Sequence, residues 1–217
     1  MASDVNLVVL AESPSLTLPG AATTPYAKAS RHGGIRIGPS IPDYGEISSY
    51  GNTYSAGSTT DIAPVAAIPT TSAHFIVWNG ESQSGGGKNY YIQSASYMCS
   101  TSAGAILQQT LIAMVSTVVL AAPSVTAGIG PKNLAGVASS SKATIGSAAT
   151  VVNNGIWQPI TNSNNFGAQT PTIGMSSWVD LRGIYVVPPG CVFALAVMCQ
   201  SAASAKNQLF VSWTEAP

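Results

Sequence analysis

The apolar residues of this chain come in short runs rich in Val, Ile, Tyr and Trp, and each run is soon cut by Gly, Pro or Asn. No stretch sustains the i, i+3, i+4, i+7 spacing of a helix with charge on its opposite face. β-Branched and aromatic side chains fit a pleated surface better than a helical one. The chain is therefore expected to be all-β: an antiparallel β-sandwich or jelly roll of roughly seven to nine strands, with an extended N-terminal arm.

The runs can be placed one by one. Residues 47–54 space Ile and Tyr and end near Gly57. Phe75 to Trp78 is a short buried strand closed by Asn79 and Gly80. The Gly- and Ser-rich stretch 81–88 joins it, hairpin fashion, to 89–98, where Tyr91, Gln93, Ala95 and Tyr97 are expected on one face and Tyr90, Ile92, Ser94 and Ser96 on the other. Residues 107–120 form the next strand region; the Gln108-Gln109 pair permits a helical turn, but the Val- and Thr-rich continuation favours strand. Asn154-Gly155 is a hairpin-turn signal. A strand over 179–187 is stopped by Pro188 and Pro189, which fix φ and remove two amide donors. Gly190 then lets the chain turn into the apolar strand 191–200. The last strand, 209–213, sets Leu209, Val211 and Trp213 against Phe210 and Ser212. Trp78 and Trp213, both in strands, are expected in the core.

Residues 1–42 read differently. Pro14, Pro19, Pro25, Pro39 and Pro42 interrupt short apolar pieces, so the segment looks extended, without its own core. This divides the chain into an arm, 1–42, and a sandwich domain, 43–217. The apolar residues of the arm, Val5, Leu7, Val8, Leu10, Leu16 and Leu18, are its candidate contacts with a neighbouring subunit.

Charge limits the partners. Asp, Glu, Lys and Arg make up 7% of the 217 residues, and the formal net charge is zero. An ordinary soluble domain has about 25%. Such a surface is easily desolvated and suits a protein covered by neighbours. Nucleic acid is not expected as a partner, because phosphate binding needs clustered Lys and Arg. The densest basic window is only Lys28, Arg31 and Arg36. An anionic membrane surface is disfavoured for the same reason. The start, MASDVNLVVL, lacks the basic end and long apolar run of a secretory signal. The apolar stretch 111–122 is shorter than the roughly 20 residues that span a bilayer. Cys99, Cys191 and Cys199 form no C-x-x-C pair and read as reduced, buried small hydrophobes, which favours production in a reducing cytoplasm.

No motif for chemistry assembles, and neither an enzyme nor a cofactor is expected. His32 and His74 have no carboxylate at ligand spacing, so no metal is expected; His74 reads as a polar cap at a strand entrance. Asp43, Asp61 and Asp180 read as turn residues, with a single calcium site left open. Gly85-Gly86-Gly87-Lys88 lacks the first glycine of a phosphate loop and has Asn89 where Ser or Thr is needed. There is no G-x-S-x-G elbow. Tyr44, Tyr50, Tyr54, Tyr90, Tyr91 and Tyr97 leave room for a sugar-binding platform, with core packing the default for aromatic residues in strands.

Taken in order, several short motifs resemble a known kind of protein. They are Tyr44-Gly45, Gly51-Asn52-Thr53-Tyr54-Ser55, Ile68-Pro69-Thr70-Thr71-Ser72, Phe75-Ile76-Val77-Trp78-Asn79 and Gly87-Lys88-Asn89. The second half adds Asp180-Leu181-Arg182-Gly183, Val187-Pro188-Pro189-Gly190 and the final Ser212-Trp213-Thr214-Glu215-Ala216-Pro217. The series, from Tyr44 to Pro217, resembles small jelly-roll structural proteins of tailed-bacteriophage particles, capsid decoration or cement proteins among them. The resemblance implies a non-catalytic virion protein on the capsid exterior, made in the bacterial host cytoplasm. Its partners would be the major capsid protein and copies of itself, as a homotrimer. A tail, neck, fibre-associated or minor capsid jelly roll is the alternative, and a carbohydrate-binding module a further one. Glu215 is expected to stay solvated or to pair with Arg182 or a neighbour.

Overall fold

The computed structural model describes residues 51–102, 108–119, 121–123, 132–134, 139–150, 155–161, 164–165, 176–199 and 205–216. All belong to one compact unit, 47–217. The arm expected over 1–42, with Val5, Leu7, Val8, Leu10, Leu16 and Leu18, lies outside the described residues.

Eleven strands run through the described residues: β1 (Thr53–Gly57), β2 (Ser72–Trp78), β3 (Asn89–Ser102), β4 (Gln108–Val115), β5 (Lys132–Asn133), β6 (Thr144–Thr150), β7 (Gln158–Pro159), β8 (Asn164–Asn165), β9 (Ser176–Val187), β10 (Val192–Cys199) and β11 (Ala205–Ala216). No helix occurs among these residues. The count exceeds the expected seven to nine because β5, β7 and β8 are two-residue pairings, too short to leave a pattern in the sequence.

Two antiparallel sheets result. Sheet A runs β5-β1-β11-β3-β9, and sheet B runs β6-β2-β10-β4-β7 with β8 also on β4. Set β5, β6 and β8 aside, and number the remaining strands along the chain. The sheets then read first–eighth–third–sixth and second–seventh–fourth–fifth, the interleaved order of a jelly roll. The core lies between them. Tyr54, Ile92, Tyr97, Leu209, Val211 and Trp213 come from sheet A, and Phe75, Val77, Leu111, Phe193, Leu195 and Val197 from sheet B.

Strand β3 departs from the expected alternation. Tyr90 and Ile92 point into the core, but so do Ala95, Tyr97 and Cys99. The parity changes at Gln93. On one side Ile92 pairs with Trp213 and Ser94 with Ser212, which leaves Gln93 as an extra residue. On the other side residues 181–184 of β9 bulge between Tyr185 and Asp180. A bulge of this kind re-aims every later side chain of its strand. Tyr90 and Ile92 therefore share the core side with Ala95 and Tyr97, which strict alternation set on the opposite face.

Strand β10 is buried on both faces, which accounts for its unbroken apolar sequence. Its inward residues meet sheet A. On the far side of sheet B, Val192 and Ala194 pack with Ala73, Ile76 and Met114, and half-buried Trp78 and Trp157 lie against them. Residues 116–119, expected to continue β4, leave the sheet, with Val118 and Val119 exposed. Only Gly155 of the Asn154-Gly155 turn lies within the described residues.

The Pro-Pro-Gly stop works as expected. β9 ends at Val187, the Cys191 amide donates to the Pro188 carbonyl at 3.0 Å, and Gly190 adopts φ 80°. A Cβ there would also lie 2.4 Å from Gln83 Nε2 and 2.8 Å from Val119 Cγ1. Asn79 fastens the turn to its neighbours. Its side-chain amide donates to the carbonyls of Lys88 and Val187, each at 2.8 Å, and its oxygen accepts from the Glu81 amide at 3.0 Å. The Trp78 indole donates to the Gly190 carbonyl at 3.1 Å. Trp78, Pro188, Pro189 and Gly190 thus meet at one corner. Trp213 lies elsewhere, fully buried between Tyr54, stacked at 5.8 Å, and Tyr90, tilted at 6.2 Å.

Candidate interaction surface

The outer face of sheet A is the most distinctive surface among the described residues. Gly57, Phe210, Ser96 and Trp178 form one cross-strand row, since Gly57 pairs with Phe210, Phe210 with Ser96 and Ser96 with Trp178. The Phe210 ring covers Gly57; a Cβ on that glycine would lie 2.6 Å from the ring. Trp178 is 65% exposed and Phe210 39% exposed. Two strand spacings separate them, about 10 Å. Ser96 is the small residue between two rings. The adjoining row is Ser55, Ser212, Ser94 and Asp180, with the Ser94 and Ser212 hydroxyls 2.6 Å apart. Ile184 and Val186, further along β9, are also exposed.

The two charges that β9 brings to this face pair with each other. Arg182 Nε donates to Asp180 Oδ2 at 3.0 Å, and the Arg182 amide approaches Asp180 Oδ1 at 3.3 Å. Arg182 holds this position with φ 48°, in the left-handed region, and Gly183 follows at φ 75°. The bulge turns Leu181 into the core while Arg182 stays out.

Glu215 is not where the sequence reading put it. It is fully buried, and Arg182 is paired with Asp180 instead. Lys88, at the end of the glycine-rich loop, reaches Glu215 Oε2 at 3.5 Å. Oε1 accepts hydrogen bonds from the Ser141 hydroxyl and from the Trp213 indole, the latter at 3.3 Å. The neighbouring Tyr90 phenol has its pKa raised, by burial first and by the Glu215 charge second. The reason for the difference is parity: β11 continues past Trp213, and its closing residues Thr214 and Glu215 are both covered. The geometry is a buried strut. It ties the C-terminal strand to the loop carrying Lys88 and to the segment before β6.

His74 does more than cap a strand entrance. Its Nδ1 accepts the Val197 backbone amide at 3.1 Å, standing in for a carbonyl where the β2–β10 ladder has ended. Burial lowers its pKa from 6.5 to about 4. His32 and Asp43 lie outside the described residues. Asp61 accepts from Gln208, and Asp180 is engaged by Arg182, so these two acids serve different parts of sheet A. No cluster of three His, Cys, Asp or Glu occurs among the described residues. Cys99, Cys191 and Cys199 are buried and form no disulfide.

Three of the six tyrosines of the candidate sugar-binding platform lie in the core. Tyr54, Tyr90 and Tyr97 are wholly buried, while Tyr44 and Tyr50 lie outside the described residues. Exposed aromatic surface comes instead from Trp178 and Phe210. The outward place of Phe210 was legible from alternation in β11. Its alignment with Trp178 was not, because it depends on which strands are neighbours.

Comparison with known proteins gives no relative: no family model, no curated protein and no solved structure matches the chain.

Proposed function

We propose that this chain is a virion structural protein, in its most concrete form a capsid decoration protein that binds the outer shell and stabilises it. The observation that carries the reading is the row Phe210–Ser96–Trp178 on a sandwich with almost no charge. Exposed apolar surface on a regular sheet face marks an interaction site, and desolvating the serines around it costs little beside desolvating charges. The jelly-roll strand order supports the same reading by analogy only, since capsid domains share it with lectins. In this account the outer face of sheet A meets the major capsid protein or a further copy of the chain within a homotrimer. The arm, 1–42, adds reach and avidity.

Copy number tests it. Gel densitometry of purified particles carrying this chain is expected to give hundreds of copies per particle. A dozen or fewer would contradict decoration and point to the tail, the neck or a minor capsid position. Absence from the particle would contradict the virion reading altogether.

A further inference from the structure

One end of the sandwich sets two carboxamides between the sheets, next to positions that are apolar. Asn207 in β11 pairs with Cys99 in β3, and Gln109 in β4 pairs with Cys199 in β10. Alternation sets all four between the sheets. Two residues along their strands stand Leu209, Tyr97, Leu111 and Val197, all in the main core. Asn207 and Gln109 are each 0% exposed. Cys99 and Cys199 pack in one cluster with Ala205, joining the two sheets. Residues 62–65 close this end, because Ile62 exchanges both backbone hydrogen bonds with Asn207 and Val65 bridges to Met198 of sheet B.

Neither carboxamide finds a side-chain partner among the described residues. Nδ2 and Oδ1 of Asn207 and Nε2 and Oε1 of Gln109 are buried without a hydrogen-bond partner. The local backbone offers them little. Asn207 shares its own N–H and C=O with Ile62, and the Tyr97 hydroxyl donates to the Gln109 carbonyl at 3.4 Å. Buried polar atoms in stable cores are almost always paired, with protein or with ordered water.

The unpaired atoms also define what would pair with them. Both residues lack a partner for the NH2 donor and for the oxygen acceptor. A cation would satisfy the oxygens and face the NH2 groups with like polarity. An anion would satisfy only the NH2 groups. Either would bring charge into an interior that is costly to charge. Water donates and accepts, and a buried water makes about three hydrogen bonds. We propose that this end of the sandwich is a built hydration site, in which ordered water bridges the Asn207 and Gln109 carboxamides beside the Cys99 and Cys199 thiols. The inference does not depend on the proposed function.

Water-selective NOE measurements on the full chain test it directly. The side-chain NH2 protons of both residues are expected to show cross-peaks from long-lived water. In Asn207→Leu the Gln109 cross-peaks should weaken at least several-fold, because the bridging water loses one anchor. Wild-type NH2 protons without long-lived water contacts would overturn the proposal. So would one equivalent of a metal ion copurifying with the chain and lost in Cys99→Ser, since that would assign the site to a thiophilic cation. The wild-type measurement decides alone if the variants fail to fold.

Discussion

At the scale of single residues, two polar groups, half-buried His74 and buried Glu215, hold elements together, and each carries a prediction. His74 accepts a backbone amide only as neutral imidazole with its proton on Nε2. Its folded pKa, about 4, lies below the ordinary 6.5, so the folded chain binds the proton less readily than the unfolded chain. This contribution to stability is full above about pH 6.5 and is lost as pH falls toward 4. The shift corresponds to about 3 kcal/mol. Urea unfolding at about pH 7 and about pH 4.5 should show the loss, and His74→Gln should remove most of that slope. An unchanged slope would contradict the assignment. Glu215 gives the second test. Lys88→Met strands a buried carboxylate and should destabilise by about 1–3 kcal/mol, discounted because Lys88 is part-exposed. Trp213, fully buried against two tyrosines, should cost about 3–5 kcal/mol on change to Ala. A loss under about 1 kcal/mol would contradict its place in the core.

At the scale of elements, the turns were more legible than the strands they join. Pro188, Pro189 and Gly190 act locally, through φ and a missing donor, so their meaning is written in the residues themselves. The apolar continuity of β10 likewise announced a strand buried on both faces. The bulge at Gln93 was hidden, because nothing in Tyr90 to Tyr97 says which partner residues will be skipped. Its consequence, Tyr90 and Tyr97 both in the core, was hidden with it. Two glycines separate local strain from crowding. Gly86 has φ 75° and open space around it, whereas Gly190 has φ 80° and close neighbours. Gly86→Ala should cost about 1 kcal/mol, the left-handed penalty alone. Gly190→Ala should cost more than that by at least about 1 kcal/mol, because Gln83 and Val119 must move as well. Equal losses in chemical denaturation would contradict the crowding seen at this corner.

At the scale of the whole molecule, the sequence carried the class and the structure supplied the neighbours. Short β-branched runs and frequent breakers were enough for an all-β sandwich. Interleaving β1-β11-β3-β9 with β2-β10-β4-β7 brings together residues more than a hundred positions apart, which no local pattern encodes. The same long-range pairing makes the candidate surface: Trp178 and Phe210 flank Ser96 only because β3 lies between β9 and β11. The closed-end carboxamides were missed for a related reason, since Gln109 and Asn207 look like surface residues until the sheets face each other. Hydroxyl-radical footprinting of Trp178 and Phe210, on the isolated chain and on particles that contain it, tests the central claim most directly. Coverage of sheet A by neighbouring subunits should protect both rings several-fold in the particle while Trp157, on the far side of sheet B, serves as the internal reference. Equal modification of Trp178 and Phe210 in the two samples would contradict the claim that this face is the one the assembly hides.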